Sequence, residues 1–351
     1  MGSLFALEAL DRDDHVAIID SGKDARHGWT LQRLNAERVH MFHVALERMP
    51  EDELAKLLGS VDAVVHAAAY TGIPSSATDP VGDWVANVES TRHLLETMRR
   101  NKIQVPTVVL SSVKPYELSG LPLYASSIVG VNGGEKVRSV MLTVEHGERG
   151  GLGHLFGGVS EQFPLEPDEP YAASKMAQSG LALAYARSYG LPITVFRCSN
   201  LYGPGPCHGP RHGWLTWFCI CAALNWPLVL QGSGVQSRDM LYSGDLNRAI
   251  NFALQRIDEV QGELFNVGGG VSSIISVRDA INLLVKSPGT VKESPGRAHE
   301  DLLFVTNIEK FFRATGWYPE VSVETGVASI TSWATKNAEA LRRVYAEFAP
   351  Q

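Results

Sequence analysis

An α/β protein built on a mainly parallel, doubly wound sheet is what this sequence predicts, and three observations carry the prediction. Strand-like and helix-like runs alternate: VAIID, EDELAKLLGS, DAVVHAAA, VANVESTRHLLETMRRN, TVVLSS, SKMAQSGLALAYARSYG, ITVFRCSN. That is the order of βα units around a parallel sheet. Several of the strand runs are continuously apolar, as strands covered by helices on both faces must be. From Gly203 the texture changes to a Gly- and Pro-rich loop, GPGPCHGPRHGW, and then to a Trp-rich helical run, WLTWFCICAALNW, which marks a boundary to a second, smaller unit. The expected division is residues 1–204, rejoined by 238–266, as the first unit, and 205–237 with 267–345 as the second.

At the amino end, Leu4, Leu7 and Leu10 fall at helical spacing, and Val16, Ile18 and Ile19 form a short apolar run that closes on Asp20. Helix, turn, strand and acid in that order are the second half of a dinucleotide-binding motif, in which a strand and a glycine-rich turn come before the helix and the acid holds the adenosine ribose. Of the glycines only Gly2 is present. The sequence therefore predicts a Rossmann-like fold from which a first strand of about six residues is missing. A truncated gene model of an active enzyme is the expected origin, set against a non-catalytic binding protein that has discarded its dinucleotide. Further along, residues 118–156 read as an insertion or a long active-site loop, because a structureless loop of that length is uncommon in a compact domain. GELFNVGGG reads as one more strand, and TGVASITSWATKNAEALRRVYAEF as a terminal helix.

Composition narrows the function. The chain has 351 residues and 44% hydrophobic content, enough for a sizeable core. A net charge of -7 and a pI near 5.9 argue against a nucleic-acid or anionic-membrane surface. Cys198, Cys207, Cys219 and Cys221 lack zinc-ligand spacing, and no secretory signal or bilayer-spanning run is visible, so the expected home is the cytoplasm. His66 sits in an apolar strand and His208 and His212 lack a companion acid or cysteine cluster, so no metal is assigned.

The densest chemistry lies in EPYAASK. Tyr171 and Lys175 are four apart and share a helix face, which brings a phenol beside an ammonium. A nearby cation favours phenolate, suiting the tyrosine to take a proton from an alcohol or return one to an alkoxide. Upstream, TVVLSS ends in Ser111 and Ser112, at the carboxyl end of a parallel strand, where open α/β sheets bind ligands.

With these residues assembled, the chain resembles the extended short-chain dehydrogenase/reductase family, the NAD-dependent nucleotide-sugar epimerases and dehydratases, nearly end to end. Gly2-Ser3 resembles the end of the family's glycine fingerprint, Asp20 its ribose acid, and Asp62 with His66-Ala67-Ala68-Ala69 its fourth-strand motif beside the cofactor. Asn87 resembles the asparagine that steadies the sheet's centre; Ser112, Tyr171 and Lys175 resemble the catalytic trio; Arg197, Asn200 and Tyr202-Gly203-Pro204 resemble the strand and loop entering the sugar site. Arg238-Asp239, Asp245 and Phe265-Asn266-Val267-Gly268-Gly269 follow in order.

The resemblance implies a cytoplasmic, homodimeric NAD enzyme acting on a nucleotide sugar, with the helices after Thr78 and Tyr171 packed across a two-fold axis. It implies cofactor contacts at Gly2, Asp20, Asp62, Ala67, Ala68, Ala69, Asn87, Ser111, Tyr171, Lys175 and Arg197. Substrate contacts are expected at Asn200, Trp214, Arg238, Arg297 and Glu161, the two arginines suiting a diphosphate by charge and fork geometry. Within the family, GWLTWFCICAAL, SGVQSRDML and GRAHEDLLFVTNIEKFFRATGWYPEVSVETGV are similar to the CDP-tyvelose (CDP-paratose) 2-epimerases, with departures at Leu302 and Asn307. Dehydrating members carry an Asp-Glu pair just after the catalytic serine, because proton removal from carbon and loss of hydroxide need a further acid and base. Here Val113 and Lys114 stand there, which disfavours 4,6-dehydration unless Glu117 or the insertion supplies the group. Reduction of a 4-keto sugar uses the same trio and remains an alternative.

Overall fold

Contiguous apolar runs become the buried strands, and the polar-faced runs between them become the helices that cover the sheet. The computed structural model describes residues 2–22, 38–116, 123–132, 135–145, 152–156, 158–205, 209, 213–284, 291–295 and 303–350, with the 123–156 strands described by backbone alone. In chain order the first unit comprises α1 (Gly2–Asp11), β1 (Val16–Ile19), β2 (Val39–Phe42), α2 (Glu51–Leu58), β3 (Val64–His66), α3 (Ile73–Thr78) and α4 (Pro80–Trp84). A π-helical turn, Val85–Glu89, leads into α5 (Ser90–Arg100), followed by β4 (Thr107–Ser112).

An antiparallel meander follows, β5 (Leu123–Asn132), β6 (Glu135–Glu145) and β7 (Leu152–Phe156), and then α6 (Pro170–Tyr189), β8 (Ile193–Cys198) and β9 (Asn200–Tyr202). The rest runs α7 (Trp214–Leu224), β10 (Leu228–Gln231), β11 (Ser237–Tyr242), α8 (Ser243–Gln255), β12 (Leu264–Val267), β13 (Ile274–Ser276), α9 (Val277–Leu284), β14 (Val291–Ser294), β15 (Leu303–Phe304), α10 (Glu309–Thr315) and α11 (Val323–Lys336).

The central sheet has the order β12-β8-β4-β3, every pair parallel, and every residue of β8 and β12 is buried. β1 and β2 pair in parallel as a separate two-stranded sheet, and no residue of either is fully buried. Among the described residues neither β1 nor β2 pairs with the central sheet. Helix α1 lies at the junction: Ala6 and Leu10 pack on Val16, Ile18 and Val39, while Phe5 joins the core under the central sheet with Val65 and Leu110.

The unit boundaries differ from the expected ones in two places. β11, expected to return to the first unit, pairs with β9, β13 and β15 in a second sheet, although its Leu241 joins Leu246, Ala249, Ile250 and Ala253 of α8 in the core under β8 and β12. α10 and Trp317, two residues beyond it, were expected in the second unit, but Phe311 and Trp317 lie in that same core with Phe196 and Phe265. A strand's membership follows its hydrogen-bonding neighbours, which a single run of residues does not specify. Residues 118–156, read as an insertion or a loop, contain the meander β5-β6-β7, a sheet of its own. Among the described residues no helix is long and apolar enough to cross a membrane.

Candidate active site

Pro170 occupies the first helical position of α6, where its missing N–H costs nothing, and this fixes Tyr171 in the first turn at the carboxyl end of the central sheet. Two hydroxyls clamp α6 to β4: Ser111 Oγ donates to the Lys175 carbonyl (3.0 Å) and accepts from Ser179 Oγ (2.8 Å). The neighbouring Ser112, 8% exposed, is hydrogen-bonded to the Tyr171 phenol. Burial pushes that phenol up to about 12; the bond to Ser112 acts the other way, and the charges of Asp83, Cys198 and Glu169 add to the rise.

Lys175 takes a different place from the expected one. Its ammonium, 3% exposed, donates to the Leu110 carbonyl (3.2 Å) and to Gln178 Oε1 (2.9 Å), and burial lowers it to about 8. In this structure the phenol is partnered by Ser112 and the ammonium by Gln178. Both stand one helical turn apart on α6 at the same strand end, but Lys175 is not among the groups that act on the Tyr171 phenol, so the expected lowering of the phenol by the ammonium is replaced by a rise from burial.

Around this centre several expected cofactor residues are spent on the protein itself. Asn87, fully buried, accepts from the Tyr70 N–H (2.9 Å) and donates to Ser174 Oγ (3.0 Å) and Asp83 Oδ1 (3.1 Å), tying the π-helical turn to α6. Arg197, 6% exposed, donates to the Tyr116 hydroxyl (3.0 Å) and stacks on that ring (4.9 Å). The serine clamp already accounts for Ser111. Asp62 stands apart: it is exposed and precedes β3, at the strand's amino end, whereas Ala67, Ala68 and Ala69 leave from the carboxyl end. An acid at the amino end of a parallel strand is the length of that strand away from a ligand at its carboxyl edge.

Of the remaining cofactor candidates, Gly2 and Ala67 are brought together: the start of α1 lies against the chain leaving β3, so that a Cβ on Gly2 would touch Ala67 Cβ at 3.4 Å. Asp20 follows β1 at its carboxyl end, with Oδ1 accepting from the Gly22 N–H (2.7 Å). These residue types suit a dinucleotide: a carboxylate for a ribose diol, small alanines where a ligand comes close to the backbone, and the Tyr171 and Lys175 pair at the end of β4.

On the substrate side, Asn200 lies on β9, two positions in register from Arg238 on β11. Arg238 Nη1 donates to the Ser237 carbonyl (2.8 Å). Trp214 begins α7 half-buried, edge-on to Phe218 (5.7 Å). Glu161 Oε1 accepts from the Asn266 N–H (2.7 Å). Arg297, Leu302, Glu117, His208 and His212 lie outside the described residues. His66 is buried and held down to about 3 by desolvation and then by Lys175, so it is neutral.

Sequence reasoning missed Tyr116. Its hydroxyl donates to Asn266 Oδ1 (2.8 Å) and receives Arg197, and Asn266 Nδ2 donates to the Val159 carbonyl (2.9 Å), so β4, β8, β12 and the end of the insertion are joined by one buried network. Tyr116 lies four residues beyond Ser112, and that spacing was the available signal.

A parallel sheet split at its ligand-binding edge, with a buried Ser-Tyr-Lys constellation at its carboxyl end, defines a dinucleotide-dependent enzyme of the short-chain dehydrogenase/reductase type. The family model described as the NAD dependent epimerase/dehydratase family matches residues 1–125 and 151–268, and the chain belongs to that family. NAD is its cofactor. The CDP-paratose 2-epimerase of Salmonella typhi is 28% identical over 280 residues, 78% of this chain and 77% of that protein. The dTDP-glucose 4,6-dehydratase of Neisseria meningitidis serogroup B is 30% identical over 292 residues, 79% of this chain and 73% of that protein. Among solved structures, a dTDP-glucose 4,6-dehydratase from Streptomyces venezuelae with NAD bound superimposes with a TM-score of 0.76 at 26% identity, covering 98% of this chain and 96% of that one.

Proposed function

We propose that this protein is a cytoplasmic, homodimeric nucleotide-sugar epimerase that inverts C2 of a CDP-linked deoxysugar through a transient keto sugar. One observation carries the choice over dehydration: the positions after Ser112 hold a buried Val113 and an exposed Lys114, so neither is a carboxylate. Loss of hydroxide from a sugar needs an acid and a base beyond the alcohol-oxidising pair, and an apolar side chain moves no proton.

In this reading Asp20 and the Ala67–Ala69 segment hold the adenosine end of NAD, and Lys175 holds the nicotinamide ribose through the N–H left over from Leu110 and Gln178. NAD, when bound, would supply the hydride acceptor and positive charge that favours phenolate. Ser112 Oγ fixes and polarises the sugar oxygen, and Tyr171 Oη takes the hydroxyl proton and later returns it. With its phenol pushed up to about 12, Tyr171 is protonated at neutral pH in the free chain, so ligands that bring positive charge to it must come before proton removal. Asn200, Arg238 and Arg297 are assigned to the sugar and diphosphate, and Trp214 and Glu161 to the walls of the site.

The homodimer reading rests on an apolar face: Val81 (72% exposed) and Trp84 (45%) on α4 stand beside α6, where the outward Gly180 and Ala184 let another helix come close. Trp84→Asp is expected to convert a dimer to a monomer in sedimentation.

The activity is tested by incubating the NAD-loaded protein with CDP-, UDP- and dTDP-sugars and following products by NMR and NADH by absorbance. An epimer with no net NADH is expected. A 4-keto-6-deoxy product, or net NADH consumption with a 4-keto sugar, would replace this reading with dehydratase or reductase respectively.

A further inference from the structure

Lys175 is reached by a chain of buried side chains that the oxidation chemistry does not require. Thr91 Oγ1 donates its one hydrogen to the Asn87 carbonyl (2.7 Å), which leaves the oxygen free only to accept. His66 Nε2 (2.7 Å) and Gln178 Nε2 (3.1 Å) both reach it and are therefore donors. With its amide nitrogen committed to Thr91, Gln178 turns Oε1 to the Lys175 ammonium at 2.9 Å. Thr91 and Gln178 have no exposed surface, and His66 and Lys175 are 3% exposed. The direction of every bond in the chain is set by the threonine.

We propose that Gln178 is a positioning residue for Lys175: held by Thr91, it presents a fixed acceptor that keeps the ammonium charged and anchored at the end of β4. The inference rests on the epimerase reading only for its catalytic consequence, since the hydrogen bonds belong to the folded chain.

A cation taken out of water is destabilised, and an acceptor that bonds only its charged form opposes that. The titratable groups around Lys175 are Cys198 from β8 and Asp83 from α4, both favouring its charged form, His66 from β3, and Tyr171 one turn away on its own helix. His66 is neutral and burial pushes the Cys198 thiol up to about 12, so neither offers the ammonium a charged partner. Gln178 supplies the direct bond. If the lysine lost its proton near neutral pH, the pull on the ribose and phenol would be lost with it, so the alkaline limb of turnover is expected to follow the Lys175 midpoint.

The test titrates Lys175 directly, using protein labelled with 13Cε-lysine, its signal assigned by Lys175→Arg, in wild type, Gln178→Met and Gln178→Glu. The Lys175 midpoint is expected to fall from about 8 by about one pH unit or more in Gln178→Met, and to be held or raised in Gln178→Glu, which restores an acceptor. In NAD-loaded enzyme the alkaline limb of kcat is expected to move by the same amount and in the same direction. A folded Gln178→Met with the wild-type midpoint overturns the proposal. If that variant does not fold, Thr91→Val, which frees Gln178 to turn, takes its place, with a lowered midpoint expected and an unchanged one overturning the proposal. Because the titration is read without turnover, a chain that epimerises nothing still passes or fails it.

Discussion

β1 and β8 carry much the same kind of sequence, VAII and ITVFRC, yet no β1 residue is fully buried and every β8 residue is. The difference lies in their neighbours. β8 has β4 on one side and β12 on the other, with α6 and α8 over its faces, whereas β1 pairs only with β2 and is covered by α1. Apolar character qualifies a run to be a central strand, but its flanking strands decide whether that character is buried. The candidate site residues divide the same way: Ser112, Tyr171 and Lys175 stand at the four-stranded sheet, and Asp20 follows β1.

That contrast can be broken or sharpened by measurement. The largest effect is expected at the four-stranded sheet's edge, where Tyr171→Phe should lower turnover by about 10²–10⁴-fold while NAD binding, read by fluorescence quenching, stays within a factor of about two. Turnover retained in this variant would remove the site from that sheet. Next comes stability. Phe196→Ala in β8, which empties a position against Phe311, should cost about 3–5 kcal/mol in urea unfolding. Ile18→Ala, from the half-buried β1, should cost only about 1 kcal/mol. Equal losses would show that the two sheets are equally well supported.

The smallest effect concerns pH. His66, at the end of β3, is held down to about 3 by burial, so between 6.5 and 3 the unfolded chain binds the proton that the folded chain refuses. Its contribution to stability is complete above 6.5 and declines as pH falls towards 3. Asp239, pushed up to about 6 by burial, has the opposite sign between 6 and 3.8, gaining stability as pH falls. His66→Asn should therefore flatten the acid limb of the unfolding curve, and Asp239→Asn should steepen it.

Much of this was legible in the sequence because the signals were local. TVVLSS, ITVFRC and LFNV named three central strands, and the Tyr171 and Lys175 spacing placed both on one helix. What escaped depended on partners distant in the chain. Nothing in SRDMLY shows that it will pair with NLY, and nothing in SKMAQSG shows that Gln178 is turned by a threonine 87 residues away. The protein partners of Asn87, Ser111 and Arg197 escaped for the same reason, since a polar residue near a site looks the same in sequence whether it faces ligand or protein. The meander was missed although LYASSIVGVN and EKVRSVMLTVE carry β-branched residues throughout, because length alone was read as a loop.

The meander is joined to the rest of the chain in an unusual way. At its entrance Tyr116 bridges to Leu165 and the Glu166 N–H bonds the Pro115 carbonyl (3.1 Å). At its exit Val159 lies against Thr306, its N–H bonding the Val305 carbonyl (2.7 Å), and at Gly158 (φ +104°) any side chain would strike that same carbonyl. The stems are thus fastened to each other and to the second sheet whatever hangs between them, and since closure entropy grows only with the logarithm of loop length, the segment between can lengthen, shorten or be exchanged at little cost to the rest. The family model passes over residues 126–150, inside this segment. Four residues beyond Ser112 the protein thus carries a socket whose rim is held whatever is fitted into it.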